Sequence, residues 1–252
     1  MPSPDPPPII EAREVSVFFG GVCALDRVNF AVWPGEVFGV IGPNGAGKTT
    51  LLNTISAVYR PRSGGVFVDG RPITGLPPHR LAQLGVARTF QIVQPFARMT
   101  VRENVLVGAM FGTAAKQDAY EATDLALLRT GLIAKGAFMP PQLTLAERKR
   151  LEVARALAMR PRVLLLDEVM AGLNHTEVER SIELVRTLQA DGLTVVIIEH
   201  VMRAVLALCD RLMVLNFGAK LAEGPAADVV GNPAVIEAYL GSRFARAQRT
   251  PA

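Results

Sequence analysis

The rhythm of apolar and polar positions changes three times along the chain. Over residues 9–41, short β-rich runs alternate with turn residues: Val15–Phe19, Val28–Val32 and Val37–Ile41 read as strands, with turns at Gly20-Gly21 and Pro34-Gly35. A glycine-rich loop follows, and Lys48–Tyr59 has helical composition. Val66–Val68 is a short strand before an Asp69-Gly70 turn, and Leu81–Arg88 leads into Arg88-Thr89-Phe90-Gln91. From 100 to 160 the period becomes helical, over Val101–Met110, Asp118–Arg129 and Thr144–Met159, with breakers at Gly112, Gly131, Gly136 and Pro140-Pro141. The alternation then returns as strand Val163–Leu166, helix Thr176–Gln189, strand Thr194–Ile198, helix Val201–Leu208 and strand Arg211–Leu215.

Strands spaced by helices pair in parallel and need cover on both faces. The pattern therefore predicts an α/β core with a β-rich N-terminal part and a helical insertion over about residues 92–160. One domain is expected over 9–241, preceded by a stiff, disordered, proline-rich lead (1–8) and followed by a polar, flexible tail (242–252). No internal repeat is visible.

Composition narrows the class. The 252 residues allow one or two domains and a sizeable core, and an apolar fraction of 50% excludes global disorder. Mean hydropathy is high at +0.27. Even so, the best apolar runs, Val163–Leu166 and Val195–Ile198, each stop at a carboxylate, far short of the roughly 18–20 residues that span a bilayer. The start, MPSPDPPPII, lacks the basic and apolar regions of a signal peptide, so a cytosolic chain is expected. The 2 cysteines, Cys23 and Cys209, are too far apart in sequence to suggest a zinc cluster or a disulfide scaffold and read as two buried, reduced thiols. A net charge of +4 raises the question of nucleic acid, but the basic residues are dispersed and no nucleic-acid partner is expected.

The strongest chemical signal is Gly42-Pro43-Asn44-Gly45-Ala46-Gly47-Lys48-Thr49, which fits G-x-x-x-x-G-K-[ST]. Its glycines let the backbone curl so that successive N–H groups point at phosphate oxygens, and the helix that follows adds its positive end. Lys48 can reach the β- and γ-phosphates of a nucleotide, and the Thr49 hydroxyl can ligate Mg²⁺. Thr50 joins them at the helix start. A P-loop ATPase also needs a carboxylate at the end of a neighbouring strand. Val163-Leu164-Leu165-Leu166-Asp167-Glu168 supplies one: Asp167 is read as a holder of the Mg²⁺ shell and Glu168 as the general base for water.

With these two motifs in place, the sequence resembles the ATP-binding subunits of ABC transporters over about residues 9–241. GPNGAGKT is then the Walker A loop and VLLLDE the Walker B strand. Leu143-Thr144-Leu145-Ala146-Glu147, ahead of a helix, stands where the family carries its signature segment. The resemblance implies a P-loop (RecA-like) core, an N-terminal antiparallel β subdomain and a helical, signature-bearing insertion. It implies that Phe19 stacks on adenine, a role adjacent Phe18 could also take. It implies that Gln91 touches Mg²⁺ or water, that His200 bonds the γ-phosphate, and that Thr144, Leu145 and Ala146 face ATP on an opposite subunit. Ala171-Gly172-Leu173-Asn174 would contact that subunit. The implied partners are a second cassette, identical or related, transmembrane permease subunits and, indirectly, a solute-binding protein. The implied location is the inner face of the membrane. Arg88-Thr89-Phe90-Gln91, Met99–Val105 and the ending Ile236–Gly241 resemble the subunits that drive uptake of branched-chain and other hydrophobic amino acids.

The chain departs from the family pattern. Leu145, Ala146 and Glu147 replace two glycines and a glutamine, Val169 replaces a proline after Glu168, and His175 replaces one after Asn174. Thr144-x-x-Glu147 forms a capping box that fixes the helix start without glycine. Glu147 also places a negative charge near ATP, which is expected to slow hydrolysis. Other readings fit less well. A chromosome-maintenance ATPase would show sustained heptads between Lys48 and Asp167, and a translation-associated protein would show a second Walker A loop; neither is present. A single cassette for another solute, or for export of lipid or lipopolysaccharide, shares most of the motifs.

Overall fold

The computed structural model describes residues 6–90, 94–112 and 118–240. The chain divides into two compact units, Met1–Gly75 with Ile197–Ala252, and Leu76–Val196.

The first unit holds an antiparallel sheet of β1 (Ile10–Phe19), β2 (Val22–Val32), β4 (Ser63–Val68) and β5 (Arg71–Pro72), in the order β2-β1-β4-β5. Central β1 pairs Ile10 with both Val32 and Val68. Asp69 and Gly70, at φ 47° and 71°, make the turn of the β4–β5 hairpin, as the Asp-Gly pair requires. The same unit carries β3 (Val37–Ile41), which runs parallel to β9 (Arg211–Asn216), with β10 (Ala219–Pro225) antiparallel on the outer side of β9. All five residues of β3 are buried. Phe30 of β2 stacks on Phe38 of β3 at 5.5 Å, joining the two sets of strands. Arg211 lies over the Trp33 ring at 4.5 Å and pairs with Glu36 and Glu223. Helices α1 (Lys48–Ile55), α7 (Met202–Leu208), α8 (Ala226–Val230) and α9 (Pro233–Leu240) complete the unit.

The second unit builds on β6 (Val86–Arg88) and β7 (Val163–Asp167), parallel to each other, with β8 (Thr194–Ile198) on the other side of β7. Helix α2 (Pro78–Gln83) precedes β6. Helices α3 (Val101–Phe111), α4 (Ala119–Arg129) and α5 (Leu145–Leu157) pack together, and α6 (His175–Ala190) links β7 to β8. Three of these helices start on the same device: Thr100 with Glu103, Thr144 with Glu147 and Asn174 with Glu177 form capping boxes that satisfy exposed first-turn amides. Gly108 lets α3 lie against α5, since a Cβ there would meet the Arg155 carbonyl oxygen at 2.2 Å. Buried Asn104 fixes the approach to α3, donating to the carbonyls of Phe96, Met99 and Thr100 and accepting from the Phe96 amide at 2.8 Å.

The α/β class and the parallel strand pairs agree with the sequence pattern. Three details correct it. The helix from Lys48 ends at Ile55 rather than Tyr59, because the chain turns left-handed at Ala57 (φ 58°). β2 begins at Val22, six residues before the apolar run, because antiparallel pairing to β1 carries its polar half. Cys23 is exposed, contrary to the expectation of two buried thiols, because it lies in that outer part of β2; Cys209 is buried. Strands β5 and β10 and helices α8 and α9 fall where the apolar pattern predicts no element. Among the described residues, no helix is long and apolar enough to cross a membrane.

Candidate nucleotide-binding site

In the first unit, buried β3 delivers the chain into the loop Gly42–Gly47. The loop can only be built with glycine at its ends. Gly42 and Gly47 have φ of 154° and 101°, and a Cβ would come within 2.2 Å of the Leu215 carbonyl oxygen at the first and 2.5 Å of the Ala24 carbonyl oxygen at the second. Gly47 caps α1 without a side chain, so the first-turn amides keep their capacity for an anion. Lys48 is buried and its ammonium folds back over the loop, donating to the carbonyls of Gly42 at 2.7 Å and Pro43 at 3.0 Å. Asn44, Gly45 and Thr49 are exposed, Pro43 and Thr50 half-buried, and Ala46 buried.

Two further candidates lie in this unit. Phe19 ends β1 half-exposed, edge-on to Tyr59 at 5.1 Å, while Phe18 faces the Arg62 guanidinium at 5.4 Å. His200 is exposed just beyond β8, its amide donating to the carboxylate of buried Glu199 at 3.2 Å. On the flank of the loop, Tyr239 of α9 shares a hydrogen bond with the Gly42 backbone, and burial pushes its phenol up. A cleft of about 520 Å³ opens beside it, walled by Asn44, Ala46, Phe217 and Glu237. Nothing in the pattern of α9 points at a loop almost two hundred residues earlier.

In the second unit, Asp167 ends β7 and is only 1% exposed. Arg88 donates to its Oδ2 at 3.0 Å. The chain turns left-handed at Glu168 (φ 50°), a strained conformation for a non-glycine residue. Lys149 of α5 donates to the Glu168 carbonyl oxygen at 2.8 Å. Thr144 caps α5, accepting from the Glu147 amide at 3.3 Å while Glu147 accepts from the Thr144 amide at 3.0 Å. The capping box read from the sequence is therefore present. Leu145 is exposed and Ala146 buried. The Glu147 charge does not stand alone: Lys135 pairs with it at 2.5 Å and Arg150 lies 4.0 Å away. The hydrogen bond from Lys135 is the largest influence holding this carboxyl below its usual range. Gln91 lies outside the described residues.

Each unit thus carries part of the expected set: Phe19, Gly42–Thr50 and His200 in the first, Thr144–Ala146, Asp167 and Glu168 in the second. Sequence reasoning missed Arg88, Lys135, Lys149 and Tyr239 as neighbours of these residues. The sequence does contain one trace of the first: a basic residue immediately ahead of the Thr-Phe-Gln segment.

A glycine-curled loop between a buried strand and a helix, with a lysine folded over it, defines a P-loop nucleotide-binding protein. A family model described as "ABC transporter" matches residues 25–171, and one described as "Branched-chain amino acid ATP-binding cassette transporter" matches 219–245. The chain is 39% identical to the high-affinity branched-chain amino acid transport ATP-binding protein BraF of Pseudomonas aeruginosa, over 93% of this chain and 98% of that protein. It is 37% identical to the lipopolysaccharide export system ATP-binding protein LptB of Acidithiobacillus ferridurans, over 94% and 98%. A solved nucleotide-free ATP-binding cassette from an ABC transporter superposes with a TM-score of 0.85 at 31% identity, covering 93% of this chain and 100% of that one. The chain belongs to the ABC transporter ATP-binding family and is an ATP-binding, ATP-hydrolysing cassette.

Proposed function

We propose that the protein is the ATPase subunit of an importer for branched-chain or other hydrophobic amino acids. The observation that carries this reading is the match of residues 219–245 to a model specific to branched-chain amino acid cassettes, a segment separate from the generic ATPase motifs. In this reading the subunit sits peripherally on the inner face of the membrane. It pairs with a second cassette, identical or related, and drives a separate permease supplied by a solute-binding protein. Residues 9–241 act as one cassette, with about 92–160 as its helical insertion.

The roles of the residues follow from their chemistry. Gly42–Gly47 and the start of α1 cradle the phosphates, and Lys48 turns from the loop carbonyls to the β- and γ-phosphates. Mg²⁺ suits the oxygen donors available, the Thr49 hydroxyl and the buried Asp167 carboxylate, with Gln91 as a further oxygen ligand. When bound, the metal neutralises charge on the phosphates. Glu168 takes the proton of the attacking water, His200 bonds the γ-phosphate and Phe19 stacks on adenine. Thr144, Leu145 and Ala146 present the N-terminus of α5 to nucleotide on the partner cassette. Closure of the pair on ATP shifts the populations of the permease.

The test is transport. Deleting the gene should abolish uptake of labelled leucine, and the wild-type gene should restore it where Glu168→Gln does not. Unchanged uptake, with lost outer-membrane lipopolysaccharide instead, would move the protein to the export class.

A further inference from the structure

The segment Arg88-Thr89-Phe90 has a structural task that the proposed chemistry does not use. β6 pairs with β7 as far as Arg88 opposite Leu165, and Thr89 carries the ladder on. Its amide donates to the Leu165 carbonyl at 2.9 Å, and its fully buried hydroxyl accepts from the Asp167 amide at 3.2 Å. The end of β7 is thereby pinned. Arg88 then reaches across to Asp167: its Nη2 lies 3.0 Å from Oδ2, with side-chain exposures of 9% and 1%. The guanidinium is held in place on two other sides. Nε donates to the Thr89 carbonyl at 3.3 Å, and the Phe90 ring lies 5.1 Å away. Two opposite charges buried this close together hold each other in place.

We propose that Arg88 is the resident counter-cation of Asp167. It holds the carboxylate aligned when no metal is bound, and it lowers the affinity of that carboxylate for Mg²⁺. The proposal rests on the reading of Asp167 as a Mg²⁺ ligand. Its physical basis is that a fixed positive charge on one carboxylate oxygen repels a divalent cation approaching the same group. Asp167 is thereby kept from holding metal tightly before nucleotide arrives. Arg88 is a positioning residue, acting through Asp167.

The test measures affinity for a fluorescent, non-hydrolysable ATP analogue as a function of Mg²⁺ at about pH 8, using the full chain. Arg88→Gln keeps an N–H donor but removes the charge. The Mg²⁺ concentration for half-maximal tight binding is expected to fall about tenfold. Mg²⁺ with analogue should also raise the melting temperature of Arg88→Gln more than that of the wild type, since the variant lacks its counter-cation only in the metal-free state. Arg88→Lys, which restores the charge, should stay within about threefold of the wild-type Mg²⁺ requirement. In an Asp167→Asn background, Arg88→Gln should have no further effect. An unchanged or raised Mg²⁺ requirement in Arg88→Gln would overturn the proposal, as would an equal shift in the Asp167→Asn background. Should Arg88→Gln not fold, a fall of tenfold in Arg88→Lys would overturn it too. A wild-type Mg²⁺ requirement in Asp167→Asn alone would instead remove Asp167 as a metal ligand, and the proposal with it.

Discussion

Lys149, one turn into α5, donates to the main-chain carbonyl of Glu168 at 2.8 Å. The bond ties α5 to the residue proposed as general base, at the point where the backbone is left-handed. Hydrogen bonds from charged donors contribute about 1.5–3 kcal/mol. Lys149→Met should therefore lower ATP turnover by about tenfold with little change in the Michaelis constant, because the loss misplaces Glu168 without touching nucleotide. Steady-state kinetics checks this; a raised Michaelis constant with normal turnover would assign Lys149 to nucleotide binding instead.

Glu168→Gln keeps the shape of the side chain and loses its basicity. ATP binding should persist while hydrolysis falls at least about a hundredfold, within the range for general bases. An ATP-dependent dimer should then accumulate on gel filtration. Normal hydrolysis by this variant would place the base elsewhere.

Lys48→Ala removes a buried ammonium that holds the loop through two carbonyls as well as the charge meant for phosphate. Hydrolysis should be lost and nucleotide affinity reduced, measurable by equilibrium binding of a fluorescent nucleotide. Near-wild-type turnover would refute the loop assignment.

Glu147 offers a pH test. Its carboxyl is held below its usual range, chiefly by the Lys135 hydrogen bond. A lowered pKa contributes stability that is fully present above the ordinary carboxylate value and is lost as pH falls through the folded value. Glu147→Gln removes that contribution. The wild type should thus be the more stable at pH 7, and the gap in melting temperature should narrow as pH drops below about 4. A gap that is constant from neutral to acid pH would show that the Lys135 pair contributes nothing.

The cysteines differ in reactivity. Cys23 is exposed, whereas burial first, and then the Asp210 and Glu199 carboxylates, push the Cys209 thiol up to about 12. A thiol reagent at pH 8 should label one site in the native protein and two after denaturation. Mass mapping that finds Cys209 modified in the folded protein would contradict this arrangement.

The Gly42–Gly47 loop and the strand ahead of Asp167 were readable because such elements demand fixed residue types at fixed spacing. Gly42 and Gly47 have no room for a Cβ, and the apolar run Val163–Leu166 can only be a buried strand, so both motifs survive translation from sequence to structure. Helix starts were legible for the same reason, as Thr144 and Glu147 show. Edge elements were not. No residue of β10 is fully buried, so its seven residues carry no alternation, and its place comes from a hairpin turn at Phe217-Gly218, both left-handed at φ 46° and 79°. The contacts Arg88–Asp167 and Lys135–Glu147 join residues 79 and 12 positions apart, and nothing in periodicity links such pairs. In the same way, the lysine that folding brings beside Glu147 is Lys135, in a segment that no pattern joins to the start of α5.

The placement of Trp33 under Arg211 gives the chain an optical asymmetry. It is the single tryptophan of the sequence, and it belongs to the unit formed by Met1–Gly75 and Ile197–Ala252. Intrinsic tryptophan emission therefore follows the melting of that unit alone, while far-ultraviolet circular dichroism, weighted by the long helices α3–α6, follows mainly the other. Coincident curves would show that the cassette unfolds as one cooperative body; separated midpoints would show that the half bearing the Gly42–Gly47 loop and the half bearing α3–α6 melt on their own schedules.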